Sequence, residues 1–341
     1  MRPNVPPTLD LPRHRQTIRH LRRQVHRFVV NEAFIALHRS PARGLYLASW
    51  QRSGSTWLAQ IIASMPGTRL VYEPANVRQR LFADGEPRMA SLPLSGPGSD
   101  VGEDGVFLSN ALDGSLRSPW MDRMNRTHRA TRRVVKDVRT IAILPWIVDT
   151  FPTVPMVLLL RHPAAVAHSL IELGWVRDPE VETADGQLAE DPEARRAYRQ
   201  RTLLDEVALW STHHGWAMSH PAVSRVHVVF YEDLVNQPDA EIDRLRHYLR
   251  AFDPAWSTWI PQPDAASRPS ATSFRRKKGT PSEWIDSWSD HYDTVTLEQV
   301  QRIIGAHNLG GLYSLSPLPH VSGDSALETV RLDSHGPRVQ R

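Results

Sequence analysis

The stretch LYLASWQRSGSTWL, residues 45–58, organises the fold that this sequence predicts. Its apolar start, 45–48, predicts a short buried strand of a parallel sheet. A tight turn of small and polar residues follows at 51–56, and residues 57–65 predict a helix that ends before Pro66. A strand, a small-residue turn and a helix in this order can cradle one anion, because the turn N–H groups and the helix N-terminus point at it.

The turn differs from the triphosphate-binding loop G-x-x-x-x-G-K-[ST] in its cation. Aligned on Gly54, the chain has Ser55 at the lysine position, while Thr56 keeps the hydroxyl position. The main cation for β- and γ-phosphates is therefore missing. Arg52 supplies a positive charge two residues before Gly54, and Ser53 adds a further hydroxyl donor. The residues alone also leave open a degenerate turn in an unrelated α/β protein.

Composition excludes several classes of protein. The 341 residues, 40% of them hydrophobic, are enough for one large α/β domain or two smaller ones. Cysteine is absent, which excludes disulfides, thiol nucleophiles and cysteine metal sites. The net charge of +4 fits an anionic ligand but is too small to indicate nucleic acid. We find no apolar run of transmembrane length and no apolar core of a signal peptide, so we expect a cytoplasmic protein; its oligomeric state is not predicted.

Strand and helix patterns alternate along the whole chain. This alternation predicts an α/β fold, with a P-loop-like doubly wound parallel sheet flanked by helices in a single domain. After the first unit the predicted strands are 69–74, 134–138, 155–160 and 226–230, and the predicted helices are 115–133, 140–151, 164–173, 201–219 and 239–250.

The expected domain covers residues 41–320. Residues 1–40 are predicted to be an extension with a basic helix, and residues 321–341 a disordered tail. Residues 83–105, which show no periodicity, are predicted to be a loop over the site or a mobile excursion. The charged and irregular segment 174–200 is predicted to be a lid.

Charged residues stand at the ends of the predicted strands, where ligands bind in open α/β sheets. Glu73 ends the second strand, and Arg161 follows the strand 155–160. Lysine is rare, because of 41 basic residues only Lys136, Lys277 and Lys278 are lysines. A chain that otherwise uses arginine is expected to keep lysine where a compact ammonium is required.

Four stretches of the chain resemble, in family order, those of sulfotransferases that use 3′-phosphoadenosine-5′-phosphosulfate (PAPS). WQRSGSTWL resembles the 5′-phosphosulfate loop, and LLLRHPAAVAHS resembles the strand, loop and helix that bind the 3′-phosphate. FYEDLVNQP resembles the segment that packs on the nucleotide, and RKKGTPSEW resembles the C-terminal R-K-G-x-x-x-x-W segment. The matches span residues 45–284.

The resemblance implies PAPS as co-substrate, which leaves as PAP. No metal is expected, because the transferred group is less charged than a γ-phosphate and cations of the protein suffice. The 5′-phosphosulfate is assigned to the first turn, the adenine to two aromatic residues, and the 3′-phosphate to an arginine, a serine and the C-terminal segment. In this sequence these cofactor-binding residues are Arg52, Ser53, Gly54, Ser55 and Thr56 for the first group, Trp57 and Tyr231 for the second, and Arg161, Ser169, Lys277, Lys278 and Gly279 for the third.

The two branches of the family differ in the catalytic base. VVKDVRTIAILP resembles the strand K-T-H-x-P-x-x-x-L-P of the cytosolic branch, with Lys136 at the lysine, but Val138 stands in place of the catalytic histidine. The carbohydrate branch has R-S-G-S in the first loop and Y-E-P on the next strand, as this chain does at 52–55 and 72–74. The resemblance is closest to the carbohydrate-type branch and implies Glu73 as base.

Other roles stay open at this point. Lys136 and Arg52 are predicted to stabilise charge during the reaction. Rival bases are Asp137, His213 and His214. The structural alternative for Glu73 is an ion pair with a nearby arginine, either Arg52 or Arg139.

The sequence therefore predicts a sulfotransferase that moves a sulfuryl group from PAPS to a hydroxyl of a small-molecule or glycoside acceptor. A sugar or a glycosylated product of secondary metabolism is the first choice of acceptor, and residues 81–130 and 174–220 are expected to shape its pocket. A P-loop-type small-molecule kinase and a catalytically inactive nucleotide-binding module are the alternatives.

Overall fold

Five parallel strands form the sheet at the centre of the protein. The computed structural model describes residues 44–75, 102–115, 121–125, 130–175, 192–259, 261 and 285–334. Within these residues the sheet order is β2-β3-β1-β4-β5, so the predicted P-loop-like α/β fold is confirmed. The strands are β1 Gly44–Ser49, β2 Thr68–Tyr72, β3 Arg132–Asp137, β4 Met156–Leu160 and β5 His227–Phe230.

Helices cover both faces of this sheet. One face packs on α1, α6 and α7, and the opposite face packs on α2, α3, α4, α5, α8 and α9. The helices are α1 Ser55–Ala63, α2 Gly102–Asp113, α3 Leu144–Thr150, α4 Pro163–Glu172, α5 Pro192–Ser219, α6 Tyr231–Asn236, α7 Pro238–Arg250, α8 Thr294–Ala306 and α9 Gly323–Ser334. None of these described helices combines the length and apolarity needed to cross a membrane.

Strand β1 is central because it pairs with β3 on one side and with β4 on the other. All six of its residues are buried, as expected of a parallel strand that is covered on both faces. Successive side chains point to opposite faces, so Leu45 and Leu47 join the cluster under α1, while Tyr46 and Ala48 join the opposite cluster.

The carboxyl edge of the sheet collects the residues that the sequence singled out. In the register of the sheet Lys136 of β3 stands between Leu47 of β1 and Tyr72 of β2. Glu73 follows β2 directly, and Arg161 follows β4. The phosphate turn after β1 and the Glu73 turn after β2 therefore lie at the same edge.

Helix α2 corrects two predictions of local structure. The predicted helix 115–133 is wrong, because the described residues in this range are a turn at 121–124 and the start of β3 at Arg132. The helix precedes it at Gly102–Asp113, where Leu108, Ala111 and Leu112 make one buried stripe. Its first residues also fall inside the loop predicted for 83–105.

The C-terminal half of the chain contains two more corrections. Helix α5 begins at Pro192, inside the irregular segment predicted for 174–200. The disordered tail predicted from residue 321 is wrong for Gly323–Ser334, which form α9 and bury Ala326 and Val330 against α5 and β5. The predicted N-terminal basic helix and the remainder of the predicted loops, 83–101 and 176–191, lie outside the described residues.

Candidate active site

The turn between β1 and α1 has left-handed backbone at two positions. Arg52 has φ 65° and Gly54 has φ 86°. A β-carbon at Gly54 would lie 2.5 Å from a ring carbon of Tyr231, closer than any relaxed packing allows. Glycine is therefore required here both for the backbone angle and for the close approach of the aromatic ring.

The donors of this turn fit an anion. The hydroxyl of Ser53 is buried and has no hydrogen-bond partner among the described residues. A buried donor without a partner costs free energy, so its position favours a ligand at the turn. Ser55 and Thr56 begin α1, whose N-terminal N–H groups and dipole add to the attraction for negative charge.

Two arginines meet beside the turn. The Nε of Arg52 donates to the hydroxyl of Ser169 at 3.1 Å, and its guanidinium lies 5.5 Å from the ring centroid of Trp175. Arg161 donates from Nη1 to the backbone oxygen of Arg52 at 2.8 Å. Burial lowers the pKa of Arg52, and the charge of Arg161 lowers it further. Residues predicted for the two ends of the donor thus lie together, in a field that attracts anions.

The predicted adenine residues lie next to this pair of arginines. The guanidinium of Arg161 lies 4.5 Å from the ring centroid of Tyr231. Trp57 and Tyr231 meet edge to face, with their ring centroids 6.2 Å apart. The described residues of all three cofactor-binding groups therefore lie close together in space. Lys277, Lys278 and Gly279 lie outside the described residues, so their roles stay predictions.

Glu73 forms an ion pair with Lys136. The Nζ of Lys136 lies 2.5 Å from Oε1 of Glu73, and the two side chains are only 2% and 12% exposed. Glu73 has φ 44°, and its backbone N–H donates to the backbone oxygen of Lys136 at 2.7 Å. The ion pair of Glu73 is thus with a lysine rather than with Arg52 or Arg139, the two partners named by the structural alternative.

Tyr72 connects this ion pair to the phosphate turn. Its hydroxyl lies 3.5 Å from the hydroxyl of Thr56, and the Nζ of Lys136 lies 4.5 Å from its ring centroid. Glu73 therefore directly follows a residue, Tyr72, whose side chain contacts the first turn of α1. Sequence reasoning did not assign a role to Tyr72, although it lies in the Y-E-P motif.

All three rival bases are buried, and two of them are 0% exposed. Asp137 is 0% exposed, and burial raises its pKa to about 6 even though two backbone N–H groups donate to it. His214 is also 0% exposed and stacks on Trp210, and burial lowers its pKa to about 3. Neither group is open to an incoming acceptor. The remaining rival, His213, uses Nδ1 on the backbone oxygen of Leu209.

The carboxylate of Glu232, which the sequence analysis missed, is also buried and interacts electrostatically with Arg161. Glu232 accepts the backbone N–H of His162 at 2.8 Å and the hydroxyl of Tyr313 at 3.0 Å. Burial raises its pKa to about 7. In the sequence Glu232 directly follows Tyr231 in the motif FYED. A charged residue next to a predicted nucleotide-binding residue was the signal that could have identified it. The described residues contain no group of three or more His, Asp or Glu side chains that could hold a metal ion.

A comparison with family models identifies the protein family. The model described as the sulfotransferase family matches residues 45–253, which include every strand of the sheet except the first residue of β1. The chain belongs to the sulfotransferase family. It is a PAPS-dependent enzyme, as the sequence predicted, while the carbohydrate-type branch stays a prediction. A search of curated sequences gave no match.

Solved structures to which this sulfotransferase is similar were also found. The sulfotransferase domain from the curacin biosynthetic pathway is 20% identical, with 77% of this chain and 96% of that chain covered and a TM-score of 0.41. A sulfotransferase from Alicyclobacillus acidocaldarius is 13% identical, with 77% and 95% covered and a TM-score of 0.36. Retinol dehydratase in complex with androsterone and inactive cofactor PAP is 16% identical, with 80% and 82% covered and a TM-score of 0.35.

Proposed function

We propose that this sulfotransferase acts on a hydroxyl of a small-molecule or glycoside acceptor and that Glu73 is its general base. The observation that carries the proposal is the position of the Glu73 carboxylate. It stands at the carboxyl edge of the sheet, held by Lys136 at 2.5 Å, and adjoins Tyr72, which touches the anion-binding turn through Thr56. A general base must lie within hydrogen-bond reach of the proton that it takes, and this edge is where the acceptor meets the donor.

Different groups of residues bind different parts of the PAPS nucleotide. Arg52, Ser53, Gly54, Ser55 and Thr56 hold the 5′-phosphosulfate, Trp57 and Tyr231 flank the adenine, and Arg161 and Ser169 hold the 3′-phosphate, with Lys277, Lys278 and Gly279 as further ligands. When bound, PAPS supplies the sulfuryl group. The buried hydroxyl of Ser53 and the two adjacent guanidinium groups support this division, because all three can donate hydrogen bonds to an anion.

The chain's own groups have separate tasks in the transfer. Glu73 takes the proton of the acceptor hydroxyl through its carboxylate. Lys136 compensates the charge of that carboxylate in a buried place, where an isolated charge would be costly. Arg52 and the N–H groups of the turn stabilise negative charge at the 5′ end, and they are fixed in place before the reaction by the fold. Positioning and electrostatics therefore carry most of the rate acceleration.

The acceptor class rests on the combination of R-S-G-S at 52–55 with Y-E-P at 72–74. Both motifs are those of the carbohydrate-type branch, so a sugar or a glycosylated secondary metabolite is the first acceptor to try. Phenols and lipid hydroxyls are the second choice. Residues 76–101 and 176–191 lie outside the described residues.

The experiment is transfer of labelled sulfate from PAPS to a panel of sugars, glycosides, phenols and hydroxylated lipids. We expect a labelled product with at least one sugar or glycoside. A product formed with phenols alone would contradict the acceptor class and leave the sulfotransferase activity intact. A parallel thermal-shift titration separates the alternatives, because PAP should stabilise the protein and ATP with Mg²⁺ should not. Stabilisation by PAP without a product on any acceptor would favour the inactive binding module.

A further inference from the structure

The turn that carries Glu73 is attached to strand β3 at three points. The backbone N–H of Glu73 donates to the backbone oxygen of Lys136 at 2.7 Å, and the Nζ of Lys136 lies 2.5 Å from Oε1 of Glu73. Two residues further on, the backbone N–H of Ala75 donates to Oδ2 of Asp137 at 2.7 Å. Two consecutive residues of β3 therefore fix where the carboxylate of Glu73 stands.

Asp137 uses both of its carboxylate oxygens on backbone N–H groups. Besides Ala75, which donates to Oδ2, the backbone N–H of Arg139 donates to Oδ1 at 2.8 Å. The side chain is fully buried at the end of β3. From inside the core it therefore joins the end of its own strand to the turn that follows β2.

The backbone of the turn needs such an attachment. Glu73 has φ 44°, in the left-handed region where a residue with a β-carbon loses about 1–2 kcal/mol. A strained backbone persists only where the surrounding structure holds it. The bond from Glu73 to Lys136 holds the turn before Pro74, and the bond from Ala75 to Asp137 holds it after Pro74.

We propose that Asp137 is a positioning residue for the reaction, which holds the Glu73–Pro74–Ala75 turn so that the carboxylate of Glu73 faces the acceptor. This inference rests on the proposed role of Glu73 as base. Asp137 acts through the backbone of the turn and does not touch the reacting groups. Its effect is therefore on the rate of the chemical step and not on the binding of the donor.

The test compares Asp137→Asn and Asp137→Ala with the wild-type enzyme. An amide has one acceptor oxygen and keeps one of the two backbone bonds, whereas alanine keeps neither. We expect kcat per folded enzyme to fall by about 10- to 100-fold in Asp137→Asn and further in Asp137→Ala, since misplacing a reacting group by about 1 Å costs on this order. The KM for PAPS and the Kd for PAP should stay at their wild-type values.

Asp122→Asn is the matched control. Asp122, whose side chain is 8% exposed, accepts two N–H groups of Arg69 near the start of β2. Its replacement should lower the melting temperature and leave kcat per folded enzyme unchanged. A purely structural role of Asp137 would give the same pattern, so wild-type kcat in folded Asp137→Asn overturns the inference.

The double variant with Glu73→Gln separates this inference from the proposed function. If Asp137 positions the base, Asp137→Asn adds no further loss once Glu73 is replaced. Impaired Glu73→Gln together with fully active Asp137→Asn refutes only the inference, whereas fully active Glu73→Gln refutes both. If neither Asp137 variant folds, Ala75→Pro removes the N–H donor and should lower kcat in the same way; full activity of that variant would also overturn the inference.

Discussion

Replacing Lys136 by methionine tests whether the ion pair with Glu73 is formed and buried. Methionine is unbranched and of similar length, so Lys136→Met removes the ammonium without opening a large cavity. The lysine side chain is 2% exposed and the glutamate side chain 12% exposed, so solvent screens the pair little. Removing one partner of a buried pair leaves an uncompensated charge, and we expect a loss of about 3 kcal/mol in the free energy of unfolding. That loss corresponds to a decrease of about 4–5 °C in Tm for a chain of 341 residues.

A double-mutant cycle measures the coupling directly. Glu73→Gln with Lys136→Met removes both charges, so the double variant should lose about 2–3 kcal/mol less than the sum of the single variants. Chemical denaturation at neutral pH gives the four free energies. The exposed pair of Arg196 and Asp293, 68% and 36% exposed, is the control, and Arg196→Met should change stability by less than about 1 kcal/mol. Additive losses at Lys136 and Glu73, within about 0.5 kcal/mol, would refute a buried ion pair.

Two further predictions concern the arginine pair and the buried carboxylate of Glu232. Arg161→Ala should weaken PAP binding by about 2–4 kcal/mol in calorimetry, and Arg161→Lys should recover only part of this, because an ammonium lacks the planar fork; an unchanged Kd would remove Arg161 from the 3′-phosphate site. Burial raises the pKa of Glu232 from 4.5 to about 7, so the folded protein binds this proton more tightly than the unfolded chain does. Relative to Glu232→Gln, wild-type stability should therefore fall by on the order of 3 kcal/mol as the pH rises from about 4.5 to about 7, and then level off; parallel stability curves for the two proteins would contradict this.

The phosphate turn could be predicted because its signals are local. The apolar run of β1, the small residues of the turn and the stop at Pro66 all lie within about two dozen residues of sequence, where periodicity and turn chemistry decide the structure. The positions of Glu73 and Arg161 at strand ends followed from the same strand patterns. These residues do lie at one edge of the sheet.

The partners of these residues could not be predicted, because they depend on the order of the strands. Lys136 meets Glu73 only because β3 lies between β2 and β1 in the register that places Lys136 beside Tyr72. In sequence the two residues are 63 positions apart. The partners of Asp137 could not be predicted either. The motif V-K-D-V does not indicate that its carboxylate is buried and accepts a backbone N–H from the turn after β2.

Helix α9 was missed for a different reason. Its charged and polar surface outweighs a narrow stripe of buried residues, Ala326 and Val330, so the composition of the segment resembles that of a tail. The helix is stabilised by its contacts with α5 and β5, which are distant in sequence. Tertiary packing therefore decided an element that the local pattern did not indicate.

The central claim, that Glu73 is the base of this sulfotransferase, is tested most directly by the turnover of Glu73→Gln at saturating PAPS and acceptor. Glutamine keeps the shape and can still accept a hydrogen bond from Lys136, but it cannot take a proton. Because Glu73 is paired with Lys136, some loss of stability is expected in any case, and the rate must be expressed per folded enzyme. The account predicts that kcat falls by about 10²–10⁴-fold, with the Kd for PAP unchanged. A folded Glu73→Gln enzyme with wild-type kcat would contradict it and would leave His213 as the next residue to test.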